Sequence, residues 1–143
     1  IYGRGPLEKE IKEYIQLNGL THIVELHANS SMLPIFAKTK IFVSTQLLEN
    51  FPSMSMVEAM STENAIIALN VGQTNLFVKD TENGFLVEES PTLLAQAVAK
   101  CISNQELLKK MQIRGAQIVE NNHTIDKFLN DLENFWKKIL LNG

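Results

Sequence analysis

The chain has 143 residues, 45% of them hydrophobic and 20% charged, the balance of one globular domain able to bury a core without staples. Thirteen Lys and Arg against 16 Asp and Glu leave a formal charge of −3, which argues against nucleic acid as a partner, since phosphate-backbone binding needs surplus positive charge. A single cysteine, Cys101, excludes an internal disulfide and a multi-cysteine zinc site and fits a reducing, cytoplasmic setting.

The chain opens Ile1-Tyr2-Gly3, with no initiator Met and no signal-peptide pattern, so it reads as a piece of something longer. Ile1-Tyr2 has the character of a strand's end, closed by the turn Gly3-Arg4-Gly5-Pro6. Pro6 suits a first helical turn, Leu7, Ile11, Tyr14 and Ile15 keep helical spacing, and Asn18-Gly19 is a stop signal. Ile23 to Leu26 is expected as a short strand, and Ser30 or Ser31 as the cap of a short helix through Leu33, Ile35 and Phe36. Lys40 to Ser44 is the next strand, and Ser53 to Met60 the next helix.

Ala65 to Leu69 is an apolar run of buried-strand length, as a sheet covered on both faces requires; at about five residues it is far short of the ~20 that span a bilayer. Gly84 to Val87 is a further strand after the Glu82-Asn83-Gly84 turn. From Pro91 the chain is helical. Leu93, Leu94, Ala97, Val98, Cys101 and Ile102 share one face, and a second helix carries Leu107, Leu108, Met111, Ile118 and Val119. The last helix has apolar residues at 125, 128, 129, 132, 135, 136, 139 and 140.

Strands alternating with helices imply parallel strands and right-handed crossovers, hence an α/β fold with a Rossmann-like, doubly wound parallel sheet and a helical C-terminus. Such sheets bind ligands beyond the carboxyl ends of their strands, which directs attention to residues 3–6, 27–31, 44–53 and 70–75. The 49–60 stretch, ENFPSMSMVEAM, is the least generic of these. It holds Glu49 in the loop after a strand and Glu58 on the helix that follows. A helix start near Ser53 favours an anion, and a carboxylate one or two turns in can accept hydrogen bonds from vicinal hydroxyls. An anion site beside hydroxyl-binding acids suggests a nucleotide sugar or a similar polyol phosphate.

On these residues the chain resembles the C-terminal, donor-binding domain of retaining glycosyltransferases of the GT-B fold, in the large group that includes sucrose synthases and mannosyltransferases. Ile1 to Pro6 looks like that family's glycine-rich turn after its second strand. Phe42-Val43, Glu49-Asn50-Phe51-Pro52 and Glu58-Ala59-Met60 look like its signature with paired glutamates. Ala65 to Gly72 looks like the following strand and glycine turn, and Glu82 to Val87 like the Asn-Gly turn and next strand. The resemblance implies one donor-binding domain over residues 1–143, with the acceptor domain and the diphosphate-gripping Arg and Lys lying upstream. It implies transfer of a hexose from a nucleotide diphosphate to an acceptor hydroxyl, with Glu58 on the ribose and Glu49 near the donor sugar. Asn50, Phe51, Ser53 and Gly72 would complete the donor site. No cofactor and no obligatory metal are implied. The likeness leans toward enzymes that glucosylate a lipid or sterol, with UDP-glucose as donor and a peripheral position at the inner membrane face through the other domain. Such a fragment alone is expected to bind donor weakly and to catalyse little.

Two departures matter. The family usually has seven residues between its glutamates, whereas eight separate Glu49 from Glu58, so either the loop carries an extra residue or Asn50 takes the first position. After Gly72, Gln73 and Leu76 stand where a glycine and an acid are common. These departures keep open a second reading, a nucleotide-sugar binding module without turnover. The simpler roles are also on view: Ser53 as a helix cap, Arg4 as a surface arginine and Cys101 as inert core. His27 is the one histidine at a strand's carboxyl end, where it would line the nucleotide-base pocket. For the last helix, Phe128, Leu129 and Leu132 are expected on this domain's core. Trp136, Ile139 and Leu140 would reach toward the N-terminal domain, as the resemblance implies.

Overall fold

A computed structural model of the chain describes residues 1–28, 31–48 and 53–142. The chain forms two units, Ile1–Met32 and Leu33–Gly143, taken here in turn.

In the first unit, helix α1 (Glu8–Leu17) begins where the turn closes, the Glu8 amide donating to the Gly5 carbonyl at 3.1 Å. Glu8 and Glu10 complement the positive helix start, and Glu8 pairs with Lys12 one turn on at 2.6 Å. The stop is the expected one: Gly19 takes a left-handed φ of +64°, and the Asn18 side-chain amide donates to the Tyr14 carbonyl. The strand expected over Ile23–Leu26 does not form. The amides of Ile23 and Val24 both fold back onto the Leu20 carbonyl, spending on a turn the donors that a ladder would need. What survives is one parallel bridge between Tyr2 and His27, whose rings stack with centroids 4.7 Å apart.

The second unit holds a three-stranded parallel sheet in the order β1-β2-β3, with β1 Ile41–Ser44, β2 Ala65–Leu69 and β3 Gly84–Val87. Ile41 pairs with Ala65 and Ile66 with Gly84, so β2 is central, and all five of its residues are buried. That is why its apolar run is uninterrupted. Short helix α2 (Leu33–Phe36) precedes β1, with Pro34 in its first turn. Helix α3 (Met54–Ser61) joins β1 to β2, and a four-residue helix α4 (Thr74–Phe77), absent from the sequence expectation, joins β2 to β3.

Three helices complete the unit: α5 (Pro91–Ser103), α6 (Gln105–Asn122) and α7 (Ile125–Asn142). The Ser90 hydroxyl caps α5 and the Asn104 carboxamide caps α6. One face of the sheet, Ala65, Ile67 and Phe85, packs on Ala97 and Cys101 of α5 and on Leu108 and Met111 of α6. Ile102, expected on that face, is 61% exposed, whereas Leu94 and Val98 pack against the core beside Ala97 and Cys101.

Polar residues pin the joints. Asn64, fully buried before β2, donates to the Phe36 carbonyl at 2.8 Å and accepts from the Thr39 hydroxyl at 2.7 Å. Asn83, fully buried before β3, accepts from the Lys79 amide at 2.7 Å and donates to the Phe77 carbonyl at 3.0 Å.

Helix α7 departs furthest from expectation. Phe128, Leu129 and Leu132, expected on the core, are exposed, and Leu129 at 52% is as open as Trp136 at 53%. The periodicity that marks an amphipathic helix does not say what covers its apolar side.

Candidate functional site

β1 and β2 run parallel with Ser44 opposite Ala68, so their carboxyl ends lie at one edge of the sheet. Helix α3 leaves that edge. Its C-terminal end is three residues from the start of β2, and its eight residues span about 12 Å, which returns its N-terminus to the carboxyl ends of the strands. Ser53 is the N-cap, buried, with extended backbone angles of −77° and 102°. Its carbonyl accepts from the Met56 and Val57 amides, while its hydroxyl makes no cap bond. The first amides of α3 have no partner inside the helix, and Met54 and Ser55 beside them are exposed.

Glu58 lies four residues after Met54 and three after Ser55, which places it on the side of those exposed residues and away from the buried Met56, Ala59 and Met60. It is half-buried. Among the described residues only one other carboxylate residue is half-buried, Glu8, and that one is paired with Lys12, which holds its carboxyl below the usual range. The Glu58 carboxylate makes no hydrogen bond or ion pair among the described residues, although its carbonyl accepts from the Ser61 and Thr62 hydroxyls.

The turn after β2 borders the same edge. The Asn70 amide donates to the Val87 carbonyl of β3, and the chain reverses at Gly72 with a left-handed φ of +50°. The Thr74 hydroxyl donates to the Val71 carbonyl at 2.7 Å, tightening the turn into α4. Ser53, Glu58 and Gly72, expected from the sequence as site residues, lie on α3 and on the turn after β2, with Ser55 and Thr74 on the same two segments.

Of the remaining expected site residues, Glu49, Asn50 and Phe51 lie outside the described residues, as does Ser30. His27, in the first unit, sets its Nε2 2.9 Å from the Glu25 carboxylate and stacks on Tyr2. Arg4 is exposed. Among the described residues no group of three or more His, Cys, Asp or Glu is placed to hold a metal ion, and no helix is long and apolar enough to cross a membrane.

Known proteins agree with this architecture. Residues 1–118 match the family described as glycosyl transferases group 1. An uncharacterized glycosyltransferase of Methanocaldococcus jannaschii is 31% identical over 120 residues, 82% of this chain and 34% of that protein. The C-terminal domain of a group 1 family glycosyl transferase from Francisella tularensis superposes with a TM-score of 0.72 at 27% identity, covering 83% of this chain and 63% of that one. The pneumococcal O-GlcNAc transferase GtfA, solved with UDP and GlcNAc, superposes with a TM-score of 0.85 at 18% identity, covering 98% of this chain and 29% of that one. The chain therefore spans about a third of the length of its Methanocaldococcus relative. With its parallel sheet, its helical C-terminus and a family match over most of its length, the chain belongs to the group 1 glycosyl transferases and has the fold of their C-terminal, GT-B domain.

Proposed function

We propose that this chain is the donor-binding part of a retaining hexosyltransferase and holds the nucleoside diphosphate of a nucleotide sugar at the carboxyl ends of β1 and β2. The observation that carries this reading is half-buried Glu58, its carboxylate unpaired among the described residues and on the same side of α3 as its exposed first turn. Glu58 accepts the two ribose hydroxyls. The amides at the start of α3 face the phosphates, and the Gly72 turn admits the donor without a side chain in the way. The charge that builds on the departing diphosphate is stabilised by these fixed dipoles. The bound UDP of the pneumococcal relative supports a uridine donor. Within this reading Glu49, with Asn50 and Phe51, serves the sugar itself, glucose is the first hexose to test, and a lipid or sterol hydroxyl supplied through an N-terminal acceptor domain is the first acceptor.

Titration calorimetry of the chain with UDP tests the site. Glu58→Ala is expected to weaken binding by about 1.5–3 kcal/mol, the range for charge-assisted hydrogen bonds. Unchanged affinity with unchanged circular dichroism overturns the assignment. UDP binding without sugar transfer by the full-length protein would favour the binding-module reading.

A further inference from the structure

The last turn of α3 closes on side-chain hydroxyls. The Ser61 hydroxyl donates to the Glu58 carbonyl at 2.7 Å, and the Thr62 hydroxyl shares its proton between the Glu58 and Ala59 carbonyls, 3.0 Å from each. The chain then reverses at Glu63, whose φ of +58° is left-handed and whose carboxylate meets the Lys109 ammonium of α6 at 2.6 Å. That reversal brings Asn64 back to Thr62. The Asn64 carboxamide donates to the Thr62 hydroxyl at 3.2 Å and to the Phe36 carbonyl at 2.8 Å, and it accepts from the Thr39 hydroxyl at 2.7 Å. We propose that Thr62 is a positioning residue for the donor site, fixing the rotation of α3 about its axis and with it the place of the Glu58 carboxylate. The inference rests on the assignment of Glu58 to the ribose hydroxyls.

Thr62 is the joint because it bonds in both directions. Ser61 ties the same Glu58 carbonyl, but it is exposed, and its hydroxyl reaches no described residue outside α3. Thr62 is half-buried and passes the tie to Asn64, which is fully buried and immediately precedes β2, while Phe36 and Thr39 lie on the segment leading into β1. The Glu58 carbonyl is thereby bound to the approaches of both strands whose carboxyl ends border the site. The buried face of α3, at Met56, Ala59 and Met60, is apolar. Such contacts choose a face but are non-directional, whereas a hydrogen bond fixes an angle. The angle matters: a rotation of about 10° moves a side-chain tip about 6 Å from the axis by about 1 Å, which carries a bond of about 2.8 Å past the hydrogen-bonding limit. Thr62 stands at the opposite end of α3 from its exposed first turn, so it acts on the nucleotide through Glu58 and not by contact.

Titration calorimetry of the full-length protein with UDP, run as a double-mutant cycle, is the test. Thr62→Val keeps the shape of the side chain, removes its hydroxyl and is expected to weaken UDP about fivefold. Thr62→Ser, which keeps the hydroxyl, should bind within about twofold of wild type. In the Glu58→Ala background Thr62→Val should cost no further affinity, although it should lower folding stability equally in both backgrounds. Circular dichroism checks that each variant is folded, and Thr62→Ala takes the place of Thr62→Val in the same cycle if the valine variant is not. A merely structural residue would weaken UDP equally with and without Glu58. That equal loss overturns the proposal, as does wild-type affinity in Thr62→Val or a failure of Thr62→Ser to rescue. If Glu58→Ala itself leaves UDP affinity unchanged, the ribose assignment fails first, and the positioning role fails with it.

Discussion

Gly84 lies against Ile66 so closely that a Cβ at position 84 would stand 1.9 Å from the Ile66 carbonyl oxygen. The two residues are register partners, and their strands meet where the buried turn at Asn83 delivers β3 to the sheet. No rotamer relieves a backbone clash. Gly84→Ala is therefore expected to cost about 4 kcal/mol or more, the range of a forced backbone shift in a core. Urea denaturation measures it, and a loss below about 1 kcal/mol would show that the strands separate more easily than this geometry implies.

Asn83 makes a second prediction through two of its side-chain hydrogen bonds. Asn83→Ala removes the acceptor of the Lys79 amide and the donor to the Phe77 carbonyl, at an expected cost of about 2 kcal/mol. Asn83→Asp should cost more at neutral pH, because a carboxylate would then oppose the Phe77 carbonyl in a fully buried position. Burial raises the pKa of such an acid. Its stability relative to wild type is therefore greatest below the unfolded pKa of about 3.9 and is lost as pH rises past it. Equal losses for both variants across pH would remove Asn83 from this role.

The sequence was most legible where one residue pattern admits one environment. Ala65–Leu69 has no polar residue to turn outward, so both faces had to be covered, and they are. Gly19 and the Asn83-Gly84 turn were likewise readable from backbone chemistry. Ile23–Leu26 misled because four residues of β-type composition do not reveal whether their amides will meet a ladder or close a turn. Helix α4 is too short to show a period. The place of Glu58 one turn into α3 was visible from its distance to the helix start. That its carboxylate has no partner among the described residues was not, because that depends on where the cations of the fold are spent.

Cys101 offers a third prediction. The thiol is fully buried between α5 and the sheet, and burial pushes its pKa up, so its thiolate is scarce as well as inaccessible. A thiol reagent at neutral pH should label the folded chain orders of magnitude more slowly than the urea-unfolded chain. Fast labelling under native conditions would mean that α5 opens locally.

His123 gives the fold a modest pH dependence. It closes α6 with its ring 4.9 Å from that of Phe77, and partial burial holds its pKa below the ordinary 6.5. The unfolded chain then binds the proton more readily than the folded one, so this contribution is present above pH 6.5 and falls as pH drops through and below it. Part of the ring meets solvent, which keeps the effect small. Denaturation series at neutral and mildly acid pH should show wild type losing more stability than His123→Gln. Parallel loss would place the titrating group elsewhere.

The last prediction separates the two candidates for the residue that meets the donor sugar. Glu58 fixes one end of the 49–58 segment on α3, while the eight residues after Glu49 leave two ways to align the other. If Glu49 serves the sugar, Glu49→Gln in the full-length protein should depress turnover by about 10²-fold or more and leave UDP affinity unchanged, because free UDP has no hexose to touch. Asn50→Ala should then be nearly silent. If the loop carries no extra residue, the pattern reverses and Asn50→Ala is the damaging change. The contrast does not depend on the identity of the hexose, since both variants are compared with the same donor. Glu58→Gln is the internal control: it should weaken UDP itself while changing fold stability by no more than about 0.5 kcal/mol, since its carboxylate supports no other described residue. Full turnover in both Glu49→Gln and Asn50→Ala would remove the segment from the sugar site and leave the α3 start and Glu58 to bind the nucleotide alone.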